Sequence, residues 1–289
     1  MSHAQGSYYL PEPSHWPIVG SIGLFTLLAG FANWLHGGSS LWMIAGAIIV
    51  IVMMFGWFGK VISESEGGQY NAQVDTSFRM GMAWFIFSEV MFFAAFFGAL
   101  FYVRQWALPW LDGAGNNAMT GELLWPNFQA AWPLMDVPNQ EGFDRPKEIV
   151  GAWGIPFYNT IILLTSGLTV TWAHWGLKKN NRTQLIAGLF LTVALGALFV
   201  FLQGYEYGHA YTDLNLKLSS GIYGSTFFML TGFHGLHVTI GAIMLLVMLL
   251  RAIKGHFTAK HHFAFEAEAW YWHFVDVVWL GLFIFVYWL

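Results

Sequence analysis

The sequence predicts an all-helical integral membrane protein with seven transmembrane helices. Of its 289 residues, 56% are hydrophobic and only 10% are charged, whereas soluble domains carry about 25% charged residues. Several apolar segments also reach the length of about 20 residues that a helix needs to cross roughly 30 Å of hydrocarbon. Apolar runs of this length without alternating polar residues do not fit the strands of a membrane barrel.

Polar and proline-rich stretches separate the seven apolar segments. PEPSHWP precedes the first segment, SESEGGQYNAQVD follows the second, and a long loop with five prolines, about 104–154, follows the third. This loop is a partly ordered surface cap, a docking patch for a basic partner, or a solvated connector. The beginning of the chain lacks the basic stretch and adjoining apolar segment of a signal peptide, so the first helix is expected to be retained. The predicted helices cover about 16–35, 41–62, 78–103, 155–176, 185–205, 222–250 and 267–289 of one membrane domain, 1–289.

The twelve Lys and Arg residues predict the orientation, because cytoplasmic loops are enriched in these residues. With the N-terminus in the cytoplasm, the inside loops hold eight cations and the outside loops hold four. Three of those four lie in or beside the long loop, where the charge rule is weaker. The inside set is Lys60, Arg79, Lys178, Lys179, Arg182, Arg251, Lys254 and Lys260, and the outside set is Arg104, Arg145, Lys147 and Lys217.

The sequence argues against several classes of function. It has no cysteine, which excludes disulfides, iron–sulfur clusters and thiolate-bound metals. A net charge of -4 gives no basic field for nucleic acid. Motifs of serine hydrolases, P-loop enzymes and zinc proteases are also missing. Membrane di-iron enzymes use several separated histidine clusters, but this chain has a single His-x-x-His within a helix, so neither a metal site nor a catalytic residue is predicted.

Glu89 lies near the middle of the third apolar segment, FRMGMAWFIFSEVMFFAAFFGALFYV. Ionising a carboxyl at that depth is costly, so such an acid usually faces the protein interior and usually has a function. The alternative is a protonated Glu89 that only packs against a neighbouring helix through a hydrogen bond.

Other polar residues predict contacts between helices or with lipid. The members of one predicted interhelical seam share helical faces or lie near helix ends: His234, His237, Glu206, Glu266, His273 and Asp276. Arg251, Lys254 and His256 follow the sixth helix at headgroup level, where cations bind lipid phosphate. These cations are equally explained by the general enrichment of basic residues in inside loops.

Six motifs together identify a family resemblance. They are PSHWPIVG at 13–20, KVISES at 60–65, FRMGMAWFIFSEVMFFAAFFGALF at 78–101, NTIILLTSG at 159–167 with TWAH at 171–174, YGSTFFMLTGFHGLHVTIG at 223–241, and HHFAFEAEAWYWHFVDVVWL at 261–280. Over nearly its whole length the chain resembles subunit III of the haem–copper cytochrome c oxidases.

This resemblance implies both a fold and a role. The fold has helices one and two splayed from helices three to seven, with a V-shaped cleft filled by phospholipid. The role is that of a non-catalytic subunit of a proton-pumping oxidase, which reduces oxygen with electrons from cytochrome c. Haem and copper are expected in partner subunits only. The chain is expected to contact subunit I directly, to support its proton uptake, and to assemble with subunit II and other oxidase subunits.

The resemblance also implies site residues. Glu89 matches the intramembrane Glu of the family, which is known for its reactivity with carbodiimide. The expected lipid-binding residues are Arg251, Lys254, His256, Trp57, Glu64 and Ser65. Departures from the family pattern leave the lipid species open: Ser63, Tyr70, Asn71, Trp175 and Ser220. The long loop favours a bacterial oxidase, and hence an inner-membrane protein with a cytoplasmic N-terminus and a periplasmic C-terminus.

Two alternatives remain at the level of the sequence. One is a subunit of a related quinol oxidase or of a nitric-oxide-reductase assembly, although such relatives often have fewer helices. The other is a free-standing transporter or membrane enzyme that uses the polar seam. Activity of the isolated chain in liposomes would favour the second alternative.

Overall fold

The computed structural model describes residues 9–289, which form eight α-helices and no β-strand. Residues 1–8 lie outside the described part. They include the start of the predicted membrane domain and part of the N-terminal segment that is not predicted to be a signal peptide. Short π-helical turns continue the third helix over Val103–Ala107 and the last helix over Phe283–Trp288. The helices are α1 Trp16–Leu35, α2 Leu41–Glu66, α3 Ala72–Tyr102, α4 Leu108–Leu111, α5 Ile155–Lys178, α6 Arg182–Thr212, α7 Gly221–Lys254 and α8 Phe263–Leu282.

Six helices in the described part are long and apolar enough to cross a membrane: α1, α2, α3 with its continuation through α4, α6, α7 and α8 with its continuation. This confirms an all-helical, multi-pass protein. The helix ends predicted from the sequence differ from the observed ends where polar residues continue a helix beyond its apolar core. Thus α3 begins at Ala72 rather than at about 78, and α6 ends at Thr212 rather than at about 205. The hydrophobic pattern marks only the part of a helix that lies in hydrocarbon.

The chain divides into two compact units, and the first ends at Met80. Within this unit α1 and α2 pack closely because glycine lies at their contact. A Cβ atom at Gly46 would collide with the backbone of Leu27, and one at Gly30 with the backbone of Met43. Small residues allow this close backbone approach, which replaces the hydrophobic driving force that is missing between helices in lipid.

The second unit, from Gly81 onward, has its core among α5, α6, α7 and α8. The indole rings of Trp272 and Trp279 are fully buried there. Trp272 Nε1 donates to Ser166 Oγ at 2.9 Å, and Trp279 Nε1 donates to Thr160 Oγ1 at the same distance. The polar residues of α5 are therefore partners for the aromatic residues of α8.

The long loop after α4 packs on the segment between α6 and α7. The amide of Asp144 donates to the carbonyl of Ser219 at 3.0 Å, and the amide of Lys147 donates to that of Leu214 at 2.8 Å. The side-chain amide of Asn215 also donates to the carbonyl of Arg145. We call residues 144–147 and 213–220 the loop cap. Residues 144–147 of the loop therefore pack on the segment between α6 and α7.

The carboxyl of Asp144 makes two polar contacts in the loop cap. It accepts a hydrogen bond from the Ser219 hydroxyl and lies 3.4 Å from Lys217 Nζ. The Ser219 hydrogen bond, aided by the positive charge of Lys217, lowers the pKa of Asp144 below its ordinary value. Both contacts favour the ionised carboxylate, so the loop cap is more stable when Asp144 is charged.

Replacing Asp144 by Asn should therefore loosen the loop cap at neutral pH. Because the folded pKa is lowered, the wild-type stabilisation is complete above the ordinary carboxyl pKa of about 4. It is lost as the pH falls through the lower folded value. Limited proteolysis of the loop should show wild-type protein becoming sensitive on acidification. D144N should already be sensitive near neutrality and change little with further acid.

The matched control is Glu141→Gln, which neutralises an exposed carboxyl in the same loop. It should retain the protease resistance of wild-type protein at neutral pH. Equal resistance of D144N and wild-type protein would show that the loop cap does not depend on this carboxylate.

Candidate functional site

Glu89 on α3 is paired with His237 on α7. Glu89 Oε2 lies 2.8 Å from His237 Nε2, and the two side chains are 21% and 12% exposed, respectively. Glu89 therefore faces the interior of the second unit, as an intramembrane acid is expected to do. The two residues are 148 positions apart in the sequence.

The second ring nitrogen of His237 decides where the proton of this pair can lie. His237 Nδ1 is 2.6 Å from the carbonyl oxygen of Phe233, which can only accept a hydrogen bond, so Nδ1 carries a proton. A single further proton then lies between Nε2 and Glu89. The pair is either a neutral acid with a neutral imidazole or a carboxylate with an imidazolium, and both forms have zero net charge.

Aromatic side chains surround the pair. The ring centroids of Phe93 and Phe92 lie 5.0 Å and 5.8 Å from that of His237, and the Tyr271 ring stacks at 6.4 Å. These rings exclude water, and a hydrogen bond is stronger in such a low-dielectric environment. The arrangement is a partly buried polar pair between α3 and α7, packed among aromatic rings.

His234 is fully buried and has a different partner. Its Nε2 atom lies 3.2 Å from the carbonyl oxygen of Val275, and its ring packs between Phe199 and Trp279. The two histidines predicted to lie in one seam, His234 and His237, therefore have different partners. His237 bonds the acid of α3, while His234 joins α7 to α8.

Glu206, near the end of α6, lies in a separate polar contact. It is buried and accepts a hydrogen bond of 2.6 Å from the Tyr287 hydroxyl. One turn earlier, Gln203 donates to the carbonyl of Thr231 at 3.0 Å, and Tyr207 shares a hydrogen bond with the Thr231 hydroxyl. These bonds join α6 to α7 and to the end of the chain.

The three predicted residues of α8 occupy different environments. Asp276 is buried, His273 is half-exposed, and Glu266 is partly buried at the beginning of the helix. His273 Nδ1 lies 3.6 Å from Asp276 Oδ2, and its Nε2 lies 3.2 Å from Thr171 Oγ1 on α5. The predicted seam is thus a set of local contacts, each with its own partner.

Glu268 is a buried acid that the sequence-based prediction missed. It is 4% exposed, whereas the predicted Glu266 is only partly buried. The helical spacing contains the signal, because Phe265 and Trp272, three residues before and four after Glu268, are both fully buried. Among residues 9–289, no group of three or more His, Asp or Glu side chains is arranged to hold a metal ion.

The first unit contains a cavity of about 320 Å³ that includes two of the predicted lipid-binding residues, Trp57 and Glu64. Tyr70, a departure from the family pattern, donates its hydroxyl to Glu64 Oε2 at 2.8 Å. Burial, together with this hydrogen bond and the charge of Glu64, raises the pKa of Tyr70, so the phenol remains a donor. Ser65 is exposed and does not line this cavity.

The other predicted lipid-binding residues lie at the end of α7 in the second unit. The guanidinium of Arg251 is buried and lies 4.7 Å from the centre of the Phe257 ring. Lys254 is exposed at the last position of the helix, and His256 is partly buried. Gly255 ends the helix in the left-handed conformation, which glycine adopts without steric cost.

Comparisons with known proteins give one consistent answer. The family model described as cytochrome c oxidase subunit III matches residues 6–108 and 132–289. The chain is 40% identical to cytochrome c oxidase subunit 3 of Gadus morhua and 41% identical to that of Equus caballus. Each match covers 100% of this chain and 99% of the relative. The unmatched residues 109–131 fall in α4 and the long loop. The chain therefore belongs to the cytochrome c oxidase subunit III family.

Proposed function

We propose that this non-catalytic oxidase subunit packs directly against subunit I, stabilises it and supports its proton uptake. The complex would hold haem and copper in partner subunits, receive electrons from cytochrome c, reduce oxygen to water and pump protons. The observation that carries this proposal is the family match along nearly all of the chain. The Glu89–His237 pair agrees with it, because it joins two helices through a partly buried hydrogen bond. A free-standing transporter has no comparable support.

The membrane arrangement that we propose has seven spanning helices, with α5 as the additional one. Its 24 residues would reach about 36 Å at 1.5 Å per residue. It is the one long helix of the described part that is not among the six candidate spans, and two of its polar side chains, Thr160 and Ser166, bond to buried indoles. The charge distribution supports a cytoplasmic N-terminus and a periplasmic C-terminus in a bacterial inner membrane. The splayed first two helices and the lipid-filled cleft are carried over from the family.

We assign Glu89 a role in tuning the contact of α3 with its neighbours or the local supply of protons. The pair with His237 holds one proton between two groups in an apolar environment. Moving that proton alters the local dipole without creating net charge. The pair thus carries no net charge in the hydrocarbon environment in either form.

Phospholipids are proposed as structural ligands at two places. One is the cavity of the first unit, where Trp57 supplies an apolar wall and Glu64 with Tyr70 supplies polar groups. The other is the cationic end of α7, with Arg251, Lys254 and His256. Basic residues immediately beyond an apolar helix suit anionic headgroups.

Purification in mild and in harsher detergent tests the subunit assignment. A reduced-minus-oxidised spectrum of the mild preparation should show haem bands, because intact partner subunits would co-purify. The stripped chain should lack these bands. Haem retained on the stripped chain would contradict the proposal and make His234, His237 and His273 ligand candidates. Two colourless preparations would contradict the oxidase assignment itself.

Substitution of Glu89 by Ala and by Gln separates packing from proton chemistry. Ala should lower stability by about 1–3 kcal/mol, because it leaves a buried imidazole nitrogen without its partner. Gln keeps a hydrogen-bonding group and should cost less. Both variants should retain haem in the complex but should lose turnover lifetime or pumping efficiency, measured in proteoliposomes. If oxygen consumption, pumping and lifetime all stayed normal in E89Q, Glu89 would have only a packing role.

Trp57→Ala should reduce the phospholipid that co-purifies with the oxidase, because it removes the aromatic wall of the cavity. A loss of about 1.4 kcal/mol would weaken retention about tenfold. Lipid extraction and mass spectrometry, normalised to haem, measure this effect. The matched control is Phe58→Ala, which truncates the neighbouring exposed aromatic residue that does not line the cavity. Equal lipid content in both variants would argue against this lipid site.

A further inference from the structure

A groove lies on the surface of the second unit, between the first two turns of α6 and the last two turns of α7. We call it the α6–α7 groove. Its volume is about 380 Å³. Phe190 is 62% exposed and Ile253 is 48% exposed, so the groove is open along its side. Its lining residues are apolar except for Thr183: Thr183, Ile186, Ala187, Phe190, Leu249 and Ile253. The groove therefore suits an apolar occupant.

The α6–α7 groove lies close to the ends of two candidate membrane spans. Helix α6 begins at Arg182 and α7 ends at Lys254, and both helices are long and apolar enough to cross a membrane. At 1.5 Å per residue, Phe190 lies about 12 Å along α6 and Leu249 lies about 8 Å before the end of α7. In a bilayer this is the depth at which the acyl chains of phospholipids meet their headgroups.

The guanidinium of Arg182 joins the two helices at this end of the groove. Its Nη2 atom donates a hydrogen bond to the carbonyl of Ile253, a residue that lines the groove. A guanidinium has five N–H donors, and this bond uses one of them. Because Arg182 is exposed, its remaining donors can form paired hydrogen bonds with a phosphate. A phosphate-binding group therefore lies at the end of an apolar groove.

The chain around this end of the groove carries positive charge only. Lys178 and Lys179 shortly precede Arg182, and Lys254 directly follows Ile253; all three lysines are exposed. Residues 177–189 and 247–262 contain no Asp or Glu. Clusters of Lys and Arg beside a membrane helix attract anionic lipid headgroups. The groove and its cations are thus complementary to a molecule with an apolar chain and a negatively charged head.

The α6–α7 groove is separate from the two lipid positions proposed above. Trp57 and Glu64 belong to the first unit. On α7, Arg251 lies two residues from both Leu249 and Ile253, which places its side chain on roughly the opposite side of the helix. Its guanidinium is also buried against the Phe257 ring. Arg251 therefore does not line this groove.

We propose that the α6–α7 groove binds an anionic phospholipid. One acyl chain lies between α6 and α7, and the phosphate accepts hydrogen bonds from Arg182. Lys179 and Lys254 add positive charge near the headgroup, which favours a lipid with net negative charge over a zwitterionic one. The inference deepens the proposed lipid binding, and it rests on the proposed function only in that the chain lies in a phospholipid bilayer.

Photo-crosslinking in the intact complex tests which molecule occupies the groove. Benzoylphenylalanine replaces Phe190, and the complex is placed in vesicles of equal phosphatidylglycerol and phosphatidylcholine. The control position is Leu198, which is exposed on α6 about two turns further along and does not line the groove. The ratio of phosphatidylglycerol to phosphatidylcholine adducts should be about fivefold higher at position 190, the effect of one cation near the bilayer surface. Equal ratios at the two positions would overturn the proposal, as would adducts with a protein subunit alone.

Substitutions at the two ends of the proposed contact test the headgroup and the acyl chain separately. Arg182→Gln should remove most of the phosphatidylglycerol enrichment at position 190, whereas Arg182→Lys, which keeps the charge, should retain part of it. Ala187→Phe fills the groove and should lower the yield of lipid adducts at position 190. The matched control is Ala194→Phe, which enlarges an exposed alanine two turns further along α6. Unchanged enrichment in R182Q or an unchanged yield in A187F would overturn the proposal.

The haem content of the same preparation separates this inference from the proposed function. If the wild-type chain does not co-purify with haem, the oxidase assignment fails. If haem is present but the two probe positions give equal lipid ratios, the phospholipid site fails while the assignment stands.

Discussion

The absence of water from the hydrocarbon region is the constraint on which the rest of this structure depends. A polar group placed there is costly unless it has a hydrogen-bond partner. The buried indoles of α8 meet this requirement by donating to Ser166 and Thr160 of α5. Glu89 meets it through His237. The helices that carry these groups are therefore held in register by specific bonds, in addition to the packing of apolar side chains.

Much of the fold follows from the length and composition of the apolar segments. Their number of residues indicates helices, and the cost of desolvation places Glu89 toward the interior. Local sequence patterns do not show which residue on another helix will pair with Glu89. The pairing of Glu89 with His237 joins positions 148 residues apart, and it depends on how α3 and α7 pack. The family resemblance supplied the role of the chain, but it did not supply this contact.

The predicted residues of α8 also show that sequence patterns do not determine which side chains become buried. Helical spacing placed Glu266, His273 and Asp276 on one face, but that face includes partly buried, half-exposed and buried positions. The two acids at the beginning of α8 are only two residues apart, yet it is Glu268 that enters the core. Its neighbours Phe265 and Trp272 determine this, because their large rings fix which side of α8 faces the other helices. A prediction that weighed the aromatic stripe first would have selected Glu268.

The loop cap has a consequence for the order in which the protein is made. Its two halves are distant in the chain: the carbonyl of Arg145 is bonded by Asn215, 70 residues later. Helices α5 and α6 are both translated between them. Both helices must therefore be synthesised before the loop can close. Until then residues 144–147 have no partner segment on which to pack. The cap can therefore close only in a chain that has been synthesised through α6. A chain truncated before Asp213 would lack the second half of the cap, and its loop would be exposed to quality-control proteases.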